Sequence, residues 1–241
     1  HLARPVAALS PQAQEDFPVT KPVQTGAPAR RPSVLTRFVL YAFGAMIVLT
    51  LLWTKASPWL SYPVAWLSHV ALEQAAPMWV RGVHQQLGRM EVDTAVEIAV
   101  PNSGGRRAEV TLEADPGRYA YGLPIFAALL VAAWGAARAP GRASRAALGY
   151  VLLLPARAFS LVMYLLMQLA GAAQFDVRVL RVDQWQLEAI VYGYQVGVLV
   201  LPTLVPVLVW LWLDRQFFTD VIVRGWKQSL AASPAPQRPA G

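Results

Sequence analysis

Arg157 is the single charge in the apolar run from Ala146 to Ala173. That run is long enough to cross a bilayer as a helix. A cation near the middle of such a run is costly and persists only if something pairs with it or uses it. The sequence offers no acid at the same depth. Pro155, two residues earlier, lacks an amide donor and frees the carbonyl one turn back. Two readings stay open. In one, the guanidinium bonds that carbonyl or the side chains of Gln168, Tyr164, Tyr192, Tyr194 or Gln195. In the other, it holds an anion, a lipid phosphate or a partner's carboxylate inside a helix bundle.

Gly193 and Gly197 stand four residues apart in a second apolar segment. Two glycines one turn apart let another helix approach closely, within the chain or from a second one. Gln195 lies between them and can hydrogen-bond across helices. These residues, with Arg157, are the interaction candidates.

His69 and Glu73 share one helical face at a spacing of four, and His84 follows. That is half of a metal or acid–base set, and no third ligand has a convincing spacing. Surface helices often carry such pairs for solubility. His1 offers an amine and an imidazole to copper, but no companion histidine lies nearby. The chain has no cysteine, which removes thiolate metal sites and cysteine nucleophiles. It shows no P-loop, no dinucleotide turn, no Ser–His–Asp set and no paired intramembrane carboxylates. Four expected spans without an internal repeat give transport little support. The expectation is a protein that is not an enzyme, with no cofactor and no metal.

The elements that must position these residues are membrane elements. Apolar residues make up 56% of the chain and charged residues 15%. The apolar blocks match the roughly 20 residues of one helical crossing. Many of the nine tryptophans and eight tyrosines fall near block ends, where aromatic rings settle at the lipid–water boundary. The first span is expected over Phe38–Trp53, within a segment 37–57, and the second over Tyr119–Ala137. The third is Ala146–Ala173 and the fourth Ala189–Leu213. One turn of interfacial helix is expected near Trp185, and an amphipathic segment over Phe217–Leu230. Residues 1–36 and 233–241 are Pro-rich and lack any period, as disordered tails do.

Between the first two spans, residues 58–118 read as an extramembrane insert. Pro58–Leu87 mixes apolar and polar residues as one or two amphipathic helices on the membrane surface, broken near Pro77. From Met90 to Val100 the even-numbered positions are apolar or Thr, with Glu91, Asp93 and Glu97 between them. Residues 101–105 carry turn chemistry, and a second alternation follows through Ala108, Val110, Leu112 and Ala114. This is the pattern of a β-hairpin. Two strands alone are barely stable, so the apolar face must pack on something, and the surface helices are the expected cover. The free edge is open to a further strand.

Charge orients the whole. With four spans and both ends inside, the inner segments hold twelve Lys or Arg against Glu15, Asp16, Asp214 and Asp220. The outer segments hold eight cations against ten acids. The loop Arg138–Arg145 carries three arginines and no acid. Both termini are therefore expected in the cytoplasm, with the insert outside it. Domains follow as a cytoplasmic tail 1–36, a first span 37–57, the insert 58–118, a three-helix region 119–213 and a cytoplasmic segment 214–241.

Particular stretches then resemble a family. They are Tyr119-Ala-Tyr-Gly-Leu-Pro-Ile-Phe126, Leu152-Leu-Leu-Pro-Ala-Arg-Ala158 and Ala189-Ile-Val-Tyr-Gly-Tyr-Gln195. The last continues through Leu201-Pro-Thr-Leu-Val-Pro-Val207 to Trp212-Leu-Asp-Arg-Gln-Phe217. Together they are similar to the exosortase-associated (exosortase H type) bacterial inner-membrane proteins, over residues 37–220. The Pro-rich N-terminal tail departs from that pattern. The resemblance implies an accessory role near a sorting peptidase and transfers no catalytic residue. That peptidase would resemble a cysteine-dependent transpeptidase, which a chain without cysteine cannot be. The expected function is a non-catalytic accessory subunit of an inner-membrane complex. A small transporter or lipid- or anion-binding protein using Arg157 is the alternative. Expected partners are membrane lipids and other integral membrane subunits, with no nucleic acid. The expected fold is an α-helical membrane protein of four transmembrane helices with a small extracytoplasmic hairpin.

Overall fold

The computed structural model describes residues 34–99, 106–118, 121–137, 141–223 and 226–227. The Pro-rich tails lie outside these residues, except for 34–36, as do the hairpin turn 101–105 and Arg138 of the basic loop. The described chain is mostly helical and carries a small antiparallel sheet.

Helix α1 spans Val34–Leu60 and contains no acid. It starts inside the expected tail and runs past Lys55 and Pro58, so it is longer than the expected span. Lys55 is exposed and does not interrupt it. Its only buried residue is Phe38. One face lies along α3 (Gly122–Ala137), where a Cβ on Gly135 would come within 3.0 Å of the Tyr41 ring.

The insert differs from expectation in two ways. Pro58–Leu60 completes α1 and Tyr62–Ala75 is helical, as α2, but the following Val80–Gln86 is a strand, β1. The sheet therefore has three strands, in the order β1–β2–β3, with β2 Arg89–Ala99 and β3 Arg107–Ala114. The β2 edge expected to be free is filled by the chain itself. The sequence Val-Arg-Gly-Val-His-Gln-Gln of β1 has no clean alternation; its strand form comes from pairing with β2. A two-residue turn joins them, and Gly88 takes φ 78°, a conformation costly for a side chain.

The alternation read in β2 holds. Met90, Val92, Thr94 and Val96 are buried and the odd positions face out. The β2–β3 register shifts between Asp93 and Glu97, where three residues oppose one, Val110. An even excess keeps the inward set inward. Thr94 fills the gap by donating its hydroxyl to the Val110 carbonyl at 2.7 Å.

Among the described residues three helices are long and apolar enough to cross a membrane: α1, α4 (Arg142–Ala172) and a continuous rod Gln184–Leu213. α3, the second of the four expected spans, has 16 described residues, about 24 Å of helix. The rod is built from α6 (Gln184–Gln195), a π-helical turn over Val196–Val200 and α7 (Leu201–Leu213). α6 is opened by Asp183, whose amide donates to Gln186 Oε1 at 2.9 Å. The single helical turn expected at Trp185 is α5 (Val177–Leu180), and Trp185 belongs to α6. Beyond Leu213 come α8 (Arg215–Phe217) and a π-helical segment Phe218–Val223.

Two apolar cores result, and α4 takes part in both. Its first half contributes Leu153 to a cluster with Phe38, Phe126, Ala132, Trp210 and Phe217. Its second half, from Ala158 to Ala170, is buried with α2, the inner face of the sheet, Leu187 and Ile190.

Candidate functional site

Arg157 stands where those two cores meet. One turn before it, Leu153 belongs to the first; the next residue, Ala158, belongs to the second. Arg157 is 6% exposed. Side chains on a helix lean toward its N-terminus, and here the guanidinium reaches the junction of α1 and α2. Nη2 donates to Ser61 Oγ at 3.3 Å. The guanidinium carbon lies 5.6 Å from the centre of the Trp53 ring and 6.0 Å from that of Tyr150. Both distances allow attraction to the ring faces. The Tyr150 hydroxyl donates to the Leu60 carbonyl at 2.8 Å, fastening the same junction. Nε and Nη1 are buried and meet no acceptor among the described residues.

The polar neighbours expected from the sequence are elsewhere. Gln168 donates to Tyr164, one turn away on α4. Tyr192 is 65% exposed, and Gln195 is exposed on the rod. The actual partner, Ser61, lies 96 residues away in sequence. A serine between Leu60 and Tyr62 carries no signal that could have pointed to it.

Gly193 and Gly197 do receive another helix, and it is α4. A Cβ on Gly193 would stand 2.6 Å from Met163 Sδ, and one on Gly197 would stand 3.3 Å from Ser160 Cα. Pro202 explains the π-helical turn beside them. It has no amide to offer the carbonyls of Gly197 or Val198. The Ser160 hydroxyl takes the first, and Tyr121 donates to the second at 3.0 Å. Gly122, Arg157, Ser160 and Pro202 all line a pocket of about 10 Å³ here, room for about one water.

His69 and Glu73 form an exposed pair at 2.9 Å on α2. His84 is apart from them on β1, 3.3 Å from Asp93. The three do not converge. Among the described residues no three metal-ligating side chains gather.

One charged pair was missed. Asp214, counted from the sequence among the acids of the cytoplasmic segments, is 3% exposed at the end of α7 and pairs with Arg145 on α4. The available signal was its position, directly after a long apolar helix.

The family model described as exosortase H-associated membrane protein matches residues 32–217, from the start of α1 to the end of α8. The chain belongs to this family. The exosortase H-associated match thus covers Arg157, both glycines and the Arg145–Asp214 pair, and it stops before the C-terminal tail. No curated protein and no solved structure matches the chain.

Proposed function

We propose that this membrane protein is a non-catalytic accessory subunit of a bacterial inner-membrane complex linked to an exosortase-type sorting system. In this reading the partner is the exosortase named by the family. The chain has four spans, α1, α3, α4 and the rod, with both termini in the cytoplasm and the sheet on the other side. Arg157 carries the reading: a buried cation leaves two nitrogens without an acceptor among the described residues, and a partner acid docking at the α1–α2 junction would answer them. The bare apolar face of α1, with Phe43, Ile47, Leu51 and Leu52 exposed, supplies surface for a neighbouring subunit. Co-expression with the exosortase and capture through a tag in mild detergent tests it. The exosortase should elute with the chain; a chain that elutes alone at every detergent concentration overturns the reading.

The same two nitrogens favour one alternative, a lipid- or anion-binding protein. It predicts that protein purified without any partner carries bound phospholipid or phosphate, lost on Arg157→Leu.

A further inference from the structure

Three groups of observations fix a level in the molecule. The first is the foot of the sheet. A Cβ on Gly88, in the β1–β2 turn, would lie 3.4 Å from Pro58, and one on Gly117, just after β3, would collide with Ser57 Oγ. Gln85 donates to the Tyr62 carbonyl at 3.0 Å. The foot of the sheet therefore stands on the end of α1. It carries Arg89, paired with Glu91 at 2.9 Å and Glu113 at 2.8 Å, followed in the chain by Asp115 and Arg118. Side chains this charged and exposed do not sit in hydrocarbon.

The second is Ser61, which meets Arg157. The end of α1, the foot of the sheet and Arg157 are thus at one height, and α3 begins there, since Gly122 shares a pocket wall with Arg157. The third is a set of exposed aromatics at this height: Trp59 at 71%, Tyr62 at 51% and Trp66 at 58%. Their spacing of three and four places them on one side of the α1–α2 junction. Below them α1 presents bare apolar residues, so this stripe borders a lipid-facing surface. Large amphipathic rings at such a border settle among lipid headgroups.

We propose that the outer headgroup layer seats on Trp59, Tyr62 and Trp66, so that the hydrocarbon ends at the level of Arg157. The membrane part is then α1, α3, the first half of α4 and α7. Ala158–Ala172 of α4 and most of α6 stand in water as the core of the outer unit, despite their apolar sequence. The short α3 then matches its neighbours: Arg142–Arg157 is 16 residues, the same length as Gly122–Ala137. Arg157 is at the boundary and not at mid-bilayer. The inference needs only that α1 lies in lipid, so it stands whether or not the chain serves an exosortase.

The chain has no cysteine, so single-cysteine variants in nanodiscs report one position each. Tyr192→Cys lies inside hydrocarbon, and Met167→Cys at its edge, if the rod and α4 are centred in the bilayer, whereas both lie in water if it ends at Arg157. Leu51→Cys and Leu204→Cys are lipid-facing controls. A charged, membrane-impermeant thiol reagent should label the first two faster than the controls by about ten-fold or more, because a thiol needs water to ionise. Tyr192 is exposed, so its replacement leaves the packing intact and keeps the test valid if Met167→Cys misfolds. Labelling of Tyr192→Cys at the control rate overturns the proposal.

Discussion

Tyr121 donates its hydroxyl to the Val198 carbonyl at 3.0 Å, a carbonyl to which Pro202, four residues on, has no amide to offer. Ser160 does the same for Gly197. Two hydroxyls, one from the residue before α3 and one from α4, bond the carbonyls that one proline cannot serve, and they tie α3 and α4 to the rod. Ser160 is 1% exposed, Tyr121 39%. Ser160→Ala strands a buried acceptor and should cost about 1–3 kcal/mol, whereas Tyr121→Phe exposes its carbonyl partly to solvent and should cost about 1 kcal/mol. Thermal unfolding in one detergent compares them. Equal stability of Ser160→Ala and the parent would show that the Gly197 carbonyl has another donor.

The glycines rank by what stands opposite them. A Cβ on Gly122 would lie 2.6 Å from the Pro202 carbonyl oxygen, which is backbone and cannot swing away. On Gly193 the obstacle at the same distance is the flexible Met163 thioether. Gly122→Ala should therefore cost about 1–3 kcal/mol, and Gly193→Ala less, because methionine adapts to irregular space. Melting temperatures of the two variants decide; the reverse order would mean that α3 and α7 separate more easily than their packing implies. Gly197→Leu brings a larger group against Ser160 Cα and should be tolerated least of the rod variants.

What could be read from the sequence follows from the range of the forces involved. The alternation of Met90 to Val96 and the apolar runs are local patterns, so β2, β3 and the long helices were legible. β1 was not, because Arg81, Gly82 and His84 break the alternation and only pairing with β2 makes the segment a strand. Arg157 was legible as an anomaly, since one charge in an apolar run is visible without a structure. Its neighbours were not, because Ser61 and Trp53 come to it from another helix. The division of α4 into two environments was hidden as well. Leu153 and Leu161 are the same residue type, and only the sheet, folded against the second, separates them.

Arg145 and Asp214 form a pair in which the carboxylate is buried and the guanidinium is 29% exposed. Removing the cation leaves a buried acid uncompensated. Arg145→Gln should cost about 3–5 kcal/mol, while Arg145→Gln combined with Asp214→Asn should recover most of that loss. A double-mutant cycle by chemical denaturation measures the coupling. A coupling near zero would mean that other groups already hold Asp214.

Orientation rests on charge. The twelve-to-eight distribution of cations and the acid-free stretch Arg138–Arg145 predict cytoplasmic ends. Reporter fusions after residue 105 and after residue 241 should read opposite sides of the membrane. A shared side would require an odd number of crossings to be dropped or added, and α3, the shortest candidate, would be the first to re-examine.

Arg157 separates a structural from a functional use of charge. Its hydrogen bond to Ser61 is long, at 3.3 Å, and two of its nitrogens find no acceptor among the described residues. Leu at this position removes the buried charge without leaving a partner acid behind, since no carboxylate in the described chain pairs with it. Replacing a poorly compensated buried ion by an apolar residue is often neutral or stabilising by about 1–4 kcal/mol. Arg157→Leu is therefore expected to accumulate at the parental level and melt no lower. If the cation serves a partner, the same variant should lose the exosortase on capture, and Arg157→Lys should recover only part of it, because a point charge lacks the planar fork of donors. Stability and capture must be read on the same preparations. Full capture by a well-folded Arg157→Leu would remove Arg157 from the partner interface and leave it as a cation held between Ser61, Trp53 and Tyr150.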